Sequence, residues 1–169
     1  MDVSDLLTEA YDRLPDLVRA AVDGLGPEQL RWAPEPGINS IGWLVWHLTR
    51  VQDHHVADLL DAEQIWVSGD WAGRFALTAD PDNTGYGHSP AQVAQVRPES
   101  AQALIDYYEA VAARTGTFLT GLRPADLDRV VDEGWDPPVT LGVRLVSIVE
   151  DDLQHVGQAA FVRGLLKAG

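Results

Sequence analysis

Ile41-Gly-Trp-Leu-Val-Trp-His-Leu48 and Glu150-Asp-Asp-Leu-Gln-His-Val-Gly-Gln158 are two runs in which ionisable groups interrupt an apolar helical pattern. Around the first, Ile41, Leu44, Leu48, Val51, His55 and Leu59 recur along one helical stripe, with His47 at its flank. The second lies inside a helical pattern running from Leu141 to Leu166. Buried ionisable groups are costly unless they are paired or bind a metal. One histidine from one helix, with a carboxylate and a histidine one turn apart on another, could together grip a divalent cation.

The pattern outward from these runs is helical throughout. Leu6, Leu7, Ala10, Leu14, Leu17, Val18 and Ala21 predict a first helix, capped by Ser4, kinked or split by Pro15, and ended by Gly24 and Gly26. Pro27 to Trp32 reads as one short turn. Asn39 or Ser40 starts the second helix, which runs to about Ala62. Pro98 begins a third, reaching about Leu119, and Thr140 caps a fourth. Residues 65–89 and 121–138 are long connections; a short helix is expected over 90–96, and no strand is evident. Four long helices with apolar stripes make an all-α, antiparallel four-helix bundle the expected fold, as a single domain over residues 1–169.

Composition narrows the function. The 169 residues are 46% hydrophobic, enough for a globular core, and the net charge of -14 argues against nucleic acid and anionic membrane surfaces. No apolar run approaches a membrane span, and the acidic start has no signal core, so a cytoplasmic location is expected. There is no cysteine, hence no disulfide, cysteine nucleophile or thiolate ligand. Any thiol chemistry needs a thiol from outside.

Asp151 and His155, four apart, share a helix face and can reach one ion together; Asp152 and His155, three apart, can do so as well. Imidazole nitrogen and carboxylate oxygen suit zinc first, and nickel, manganese or iron as alternatives. Three protein ligands leave positions open, as catalytic sites require. The plainer readings are a helix-surface ion pair for Asp151 and His155, and a half-buried, backbone-bonded histidine for His47. His54 lies two turns from His47, about 10 Å along the axis, too far to share its ion. Trp43 and Trp46 read as helix core, while Trp66, Trp71 and Trp135 could line a pocket mouth. Arg144 could hold a substrate carboxylate, or simply pair with an Asp or Glu. His88, in a loop, could act as an acid or base.

Asn39-Ser-Ile-Gly-Trp-Leu-Val-Trp-His-Leu48 together with Asp151-Asp-Leu-Gln-His-Val-Gly-Gln158 resembles the DinB-like superfamily of metal-binding four-helix bundles. The resemblance covers nearly the whole chain, including Thr84-Gly-Tyr-Gly-His88 and Trp135-Asp-Pro-Pro138. It is nearest to an actinobacterial branch of mycothiol transferases, related to the N-terminal domain of mycothiol-dependent maleylpyruvate isomerase. It implies an up-down-down-up bundle with a metal at one end, held by His47, Asp151 and His155. Many members carry histidine where this chain has Asp151, which implies a harder site here. Asp152 is then expected behind the ligands, orienting an imidazole.

The resemblance also implies a metal-dependent S-transferase that joins mycothiol or a similar low-molecular-weight thiol to an electrophilic small molecule. Tyr86, His88 and Arg144 are the candidates for orienting substrate. Two further readings use the same residues: a hydrolase or isomerase working through metal-activated water, and a non-catalytic, stress-related binding bundle. A homodimer through helix faces suits all three.

Overall fold

Asp2, not Ser4, opens the first helix of the computed structural model, which describes residues 1–168 with side chains described to Leu166. Asp2 accepts from the Asp5 amide and Asp5 accepts from the Asp2 amide, a reciprocal cap that places Ser4 inside the first turn. The Ser4 hydroxyl donates instead to the Leu119 carbonyl, 2.7 Å away. Pro15 splits the helix as expected: α1 is Val3–Tyr11 and α2 is Leu14–Val22. α3 is the short Pro27–Arg31.

The second long helix, α4 (Ile41–Leu60), starts at Ser40, whose hydroxyl accepts from the Trp43 amide. α5 (Ile65–Ser68), a 3-10 turn at Ala72–Phe75 and α6 (Pro90–Val93) punctuate the connection that follows. α7 (Ala101–Thr120) begins at Ser100 rather than Pro98, because the Ser100 hydroxyl takes the Ala103 amide. Pro98 packs against α4 instead: a Cβ on Gly42 would stand 2.8 Å from its ring and 2.9 Å from the Leu30 carbonyl. The next connection holds a 3-10 turn and an antiparallel pair, β1 (Val130–Asp132) with β2 (Val139–Thr140). Strands this short show no readable alternation, which is why none was expected. α8 runs Leu141–Ala168, with Thr140 accepting from the Val143 amide at its start.

The fold is mostly helical, and its packing follows from the apolar stripes. α4 packs on both α8 and α7, α2 packs on the same two helices, and α1 packs on α7. No helix among the described residues is long and apolar enough to cross a membrane. One expectation fails usefully. Burial in the first half of α4 is not confined to the expected stripe: every residue from Ser40 through Arg50 is buried. Helices cover one side, and the 77–89 connection straps the other, enclosing His47 at 5% exposure. The connection tryptophans do not line a pocket mouth either. Trp66 is wholly buried against Trp46 and Phe75, Trp71 packs on Tyr107, and Trp135 is 67% exposed.

Arg50 holds the strap down. It is fully buried, donates to the carbonyls of Pro81 (3.0 Å) and Asn83 (3.1 Å) and to Gln64 Oε1 (2.9 Å), and lies over the Trp66 ring. Asp53, equally buried, stands 3.5 Å from it and accepts from the Ile65 and Trp66 amides and the Tyr107 hydroxyl. Removing one partner of such a pair strands a buried charge, at about 3–5 kcal/mol. Arg50→Leu should therefore lose about that much stability in urea unfolding. A loss below about 1 kcal/mol would mean that the network is not needed.

Candidate metal centre

Asp151 and His155 lie one turn apart on α8, and His47 comes to meet them from α4. One donor atom from each of the three lies within 4.8 Å of the others. His155 Nε2 is 3.5 Å from Asp151 Oδ1, and the two imidazole rings meet edge to face at 4.8 Å. Asp151 Oδ2 is buried without a hydrogen-bond partner. A buried, orphaned oxygen on a carboxylate grouped with two imidazoles is costly unless a cation satisfies it, so this donor set fits a divalent ion.

Both imidazoles are aimed by bonds at the opposite nitrogen. His47 Nδ1 donates to the Thr84 carbonyl at 2.6 Å, which frees Nε2 for the site. His155 Nδ1 faces Gln158 Oε1 at 3.0 Å, with the same effect. Trp43 stacks on His47, with ring centroids 4.6 Å apart. Gly85 makes the strap possible: its φ is +93°, and a Cβ there would lie 2.8 Å from His47 Nδ1 and 2.9 Å from the Trp46 ring.

Electrostatics divide the pair. Burial lowers the pKa of His47, although its bond to Thr84 works the other way, so it presents a neutral lone pair. The hydrogen bond to Asp151 raises the pKa of His155 above the ordinary imidazole value, against its burial. A cation bound through His155 Nε2 must therefore compete with a proton held more firmly than on an ordinary imidazole.

Asp152 does not sit behind the ligands. Successive residues on a helix point about 100° apart, and Asp152 turns into the core, wholly buried, with neither carboxylate oxygen hydrogen-bonded. Burial, and then the neighbouring Asp151 charge, raise its pKa well above the usual carboxylate value, which favours the neutral acid; burial, with a smaller contribution from Asp152, likewise raises those of Tyr11 and Tyr108.

Beside the triad opens a groove of about 600 Å³, onto which His54, His55, Tyr86 and Glu150 also face. Tyr86 is 92% exposed at its rim. His88 faces away from this groove: its Nδ1 accepts from Trp43 Nε1 and its Nε2 meets Asn83 Oδ1 at 2.9 Å, so it ties the strap together. Arg144 takes the plainer of its two expected roles, bonding Asp132 at 2.7 Å.

His54, His55 and Asp58 form a second cluster with ligand atoms in reach of one another. Gln64 Oε1 accepts from Arg50, so its amide nitrogen must donate to His54 Nδ1 at 3.0 Å. The His54 proton then sits on Nε2, facing Asp58, and leaves no lone pair there for an ion.

Thr84, Gly85 and Gln158 lie in motifs that the sequence shows without indicating their roles, and Arg50 carries no such mark. Only Gln158, three residues beyond His155 on one helix face, carried a local signal. Gly85→Ala would force the strap off His47 and free its ring to turn; loss of such an orienting bond costs metal sites about 10–100-fold in affinity. Titration of zinc against a competing chelator should show a drop of about that size, and unchanged affinity would contradict the role assigned to the strap.

No curated protein matches the chain. A solved crystal structure, described as a conserved protein of locus from Enterococcus faecalis, is similar at 32% identity and a TM-score of 0.91, over 100% of this chain and 99% of that one. The family model of the DinB superfamily matches residues 10–159. The chain belongs to the DinB superfamily.

Proposed function

We propose that this protein is a divalent-metal-dependent thiol S-transferase, joining mycothiol or a similar low-molecular-weight thiol to an electrophilic small molecule. The observation that carries metal dependence is the His47–Asp151–His155 set, with its orphaned Asp151 oxygen, beside an open groove. The thiol rests on the likeness of the two helix motifs to mycothiol transferases. A chain without cysteine must take its sulfur from a co-substrate. We read the helices as one domain, an up-down-down-up four-helix bundle, because α2 and α4 each touch both α7 and α8. We place it in the cytoplasm, where low-molecular-weight thiols are found reduced.

A divalent cation held there would supply Lewis acidity that lowers the pKa of a thiol. Zinc is the first expectation, with nickel, manganese and iron as alternatives. His47 and His155 would hold it through Nε2 and Asp151 through a carboxylate oxygen. The strap, fixed by Arg50 and Asn83, closes one side of His47 against water. The groove receives the electrophile, with Tyr86 at the rim to orient it.

Untagged protein loaded with zinc should consume monochlorobimane only when a thiol such as mycothiol is present, and His47→Ala should abolish the turnover. Equal consumption without thiol would favour metal-activated water instead. No consumption with any thiol or metal would overturn the enzyme reading.

The raised pKa of His155 sets a pH dependence. Its proton must leave before Nε2 can donate to a cation, so metal affinity should fall as pH drops, beginning above the ordinary imidazole value of about 6.5. In the metal-free protein the sign reverses. A folded pKa above the unfolded one stabilises the fold at low pH, and that contribution is lost as pH rises through the folded pKa. Zinc titrations between pH 5.5 and 8 check the first, with Asp151→Asn moving the midpoint to lower pH; a flat profile would contradict it.

A further inference from the structure

Twelve basic residues stand against twenty-six acidic ones in this chain. A carboxylate without a partner is therefore ordinary here, whereas two arginines without strong partners around one pocket are informative. Arg13, Arg19, Arg50, Arg74, Arg114, Arg123 and Arg144 are all matched to acids. Among the described residues Arg97, Arg129 and Arg163 come within ion-pair distance of no carboxylate, and Arg31 reaches only the exposed Glu28, at 3.9 Å; of these four, Arg31 and Arg97 line a common pocket. The sole side-chain hydrogen bond of Arg97 runs from Nε to the Ala94 carbonyl, which leaves both terminal nitrogens free among the described residues.

These two arginines line one pocket of about 570 Å³, between the segment 31–40 and the stretch from α6 to Arg97. Its volume is that of a small-molecule site. Ile38, Pro90, Val93 and Val96 give it apolar walls, and His88, neutral and tied to Asn83, forms part of its floor. Glu35 also lines it but pairs with neither arginine, so two cationic side chains face it against one anionic. It shares no lining residue with the groove beside His47 and Asp151.

We propose that this pocket binds a small organic anion: a carboxylate on an apolar body, such as an aryl or branched-alkyl acid. The guanidinium fork of Arg97, with Arg31 lining the same pocket, matches the planar carboxylate, and the aliphatic walls match the body. A neutral isostere lacks the first match and a bare anion the second.

Ligand-observed NMR titration of the full chain with benzoate, benzamide and acetate tests the idea. Benzoate should bind at one site, and benzamide and acetate at least tenfold more weakly. Arg31→Gln/Arg97→Gln should weaken benzoate at least tenfold, and Val93→Trp, which fills the pocket, should do the same. Arg129→Gln, an exposed arginine elsewhere, should change nothing. Circular dichroism of each variant separates loss of binding from loss of fold. His155→Ala should leave benzoate binding intact; loss in that variant would put the anion at the metal centre and overturn the proposal. So would absence of benzoate binding, equal binding of benzamide, or full binding by the double arginine variant. Because the His155 arm is independent of turnover, failure here and failure of the S-transferase reading can be told apart.

Discussion

The enclosed Arg50–Asp53 pair is the constraint on which the rest of the structure depends. A guanidinium at zero exposure is tolerable only if its donors and its charge are satisfied on the spot. The chain meets that condition by bending the 77–89 connection inward, so that the carbonyls of Pro81 and Asn83 and the amide of Gln64 surround the cation. Asp53 balances the charge and also anchors the amides of Ile65 and Trp66 at α5. Two positions one helical turn apart thus fix both ends of a long connection that would otherwise have little secondary structure to hold it.

The candidate metal centre inherits its geometry from that anchorage. Residue 83 is bonded to Arg50 and residue 84 to His47, so the strap carries order from the buried pair to a ligand imidazole. The glycine that follows allows the backbone to lie directly against Trp43, Trp46 and His47. Asp151 and His155 need no such help, because helical periodicity already sets them on one face. The site therefore joins a rigid half on α8 to a half on α4 whose aim is set by a loop.

This division explains what could be read from the sequence. His47, Asp151 and His155 were legible because each sits in a helix with a clear apolar pattern, and four-residue spacing has one structural meaning. The choice between Asp151 and Asp152 was not, since both spacings reach His155; only the core packing of α8 turns Asp152 away. Thr84 lies 37 positions from His47, and no local pattern encodes that contact. Helix starts slipped for a similar reason. Asp2 and Ser100 out-competed Ser4 and Pro98 through side-chain bonds whose partners the pattern does not rank. The same long-range covering buried every residue in the first half of α4, where its sequence reads as amphipathic.

The central claim is that His47, Asp151 and His155 hold one divalent cation. Elemental analysis of untagged protein, wild type beside Asp151→Asn, tests it most directly. The account predicts about one transition-metal ion per chain in the wild type and a large loss in the variant, with the fold retained. Protein that stays metal-free after incubation with zinc, nickel and manganese, or a variant that keeps its metal in full, would contradict it.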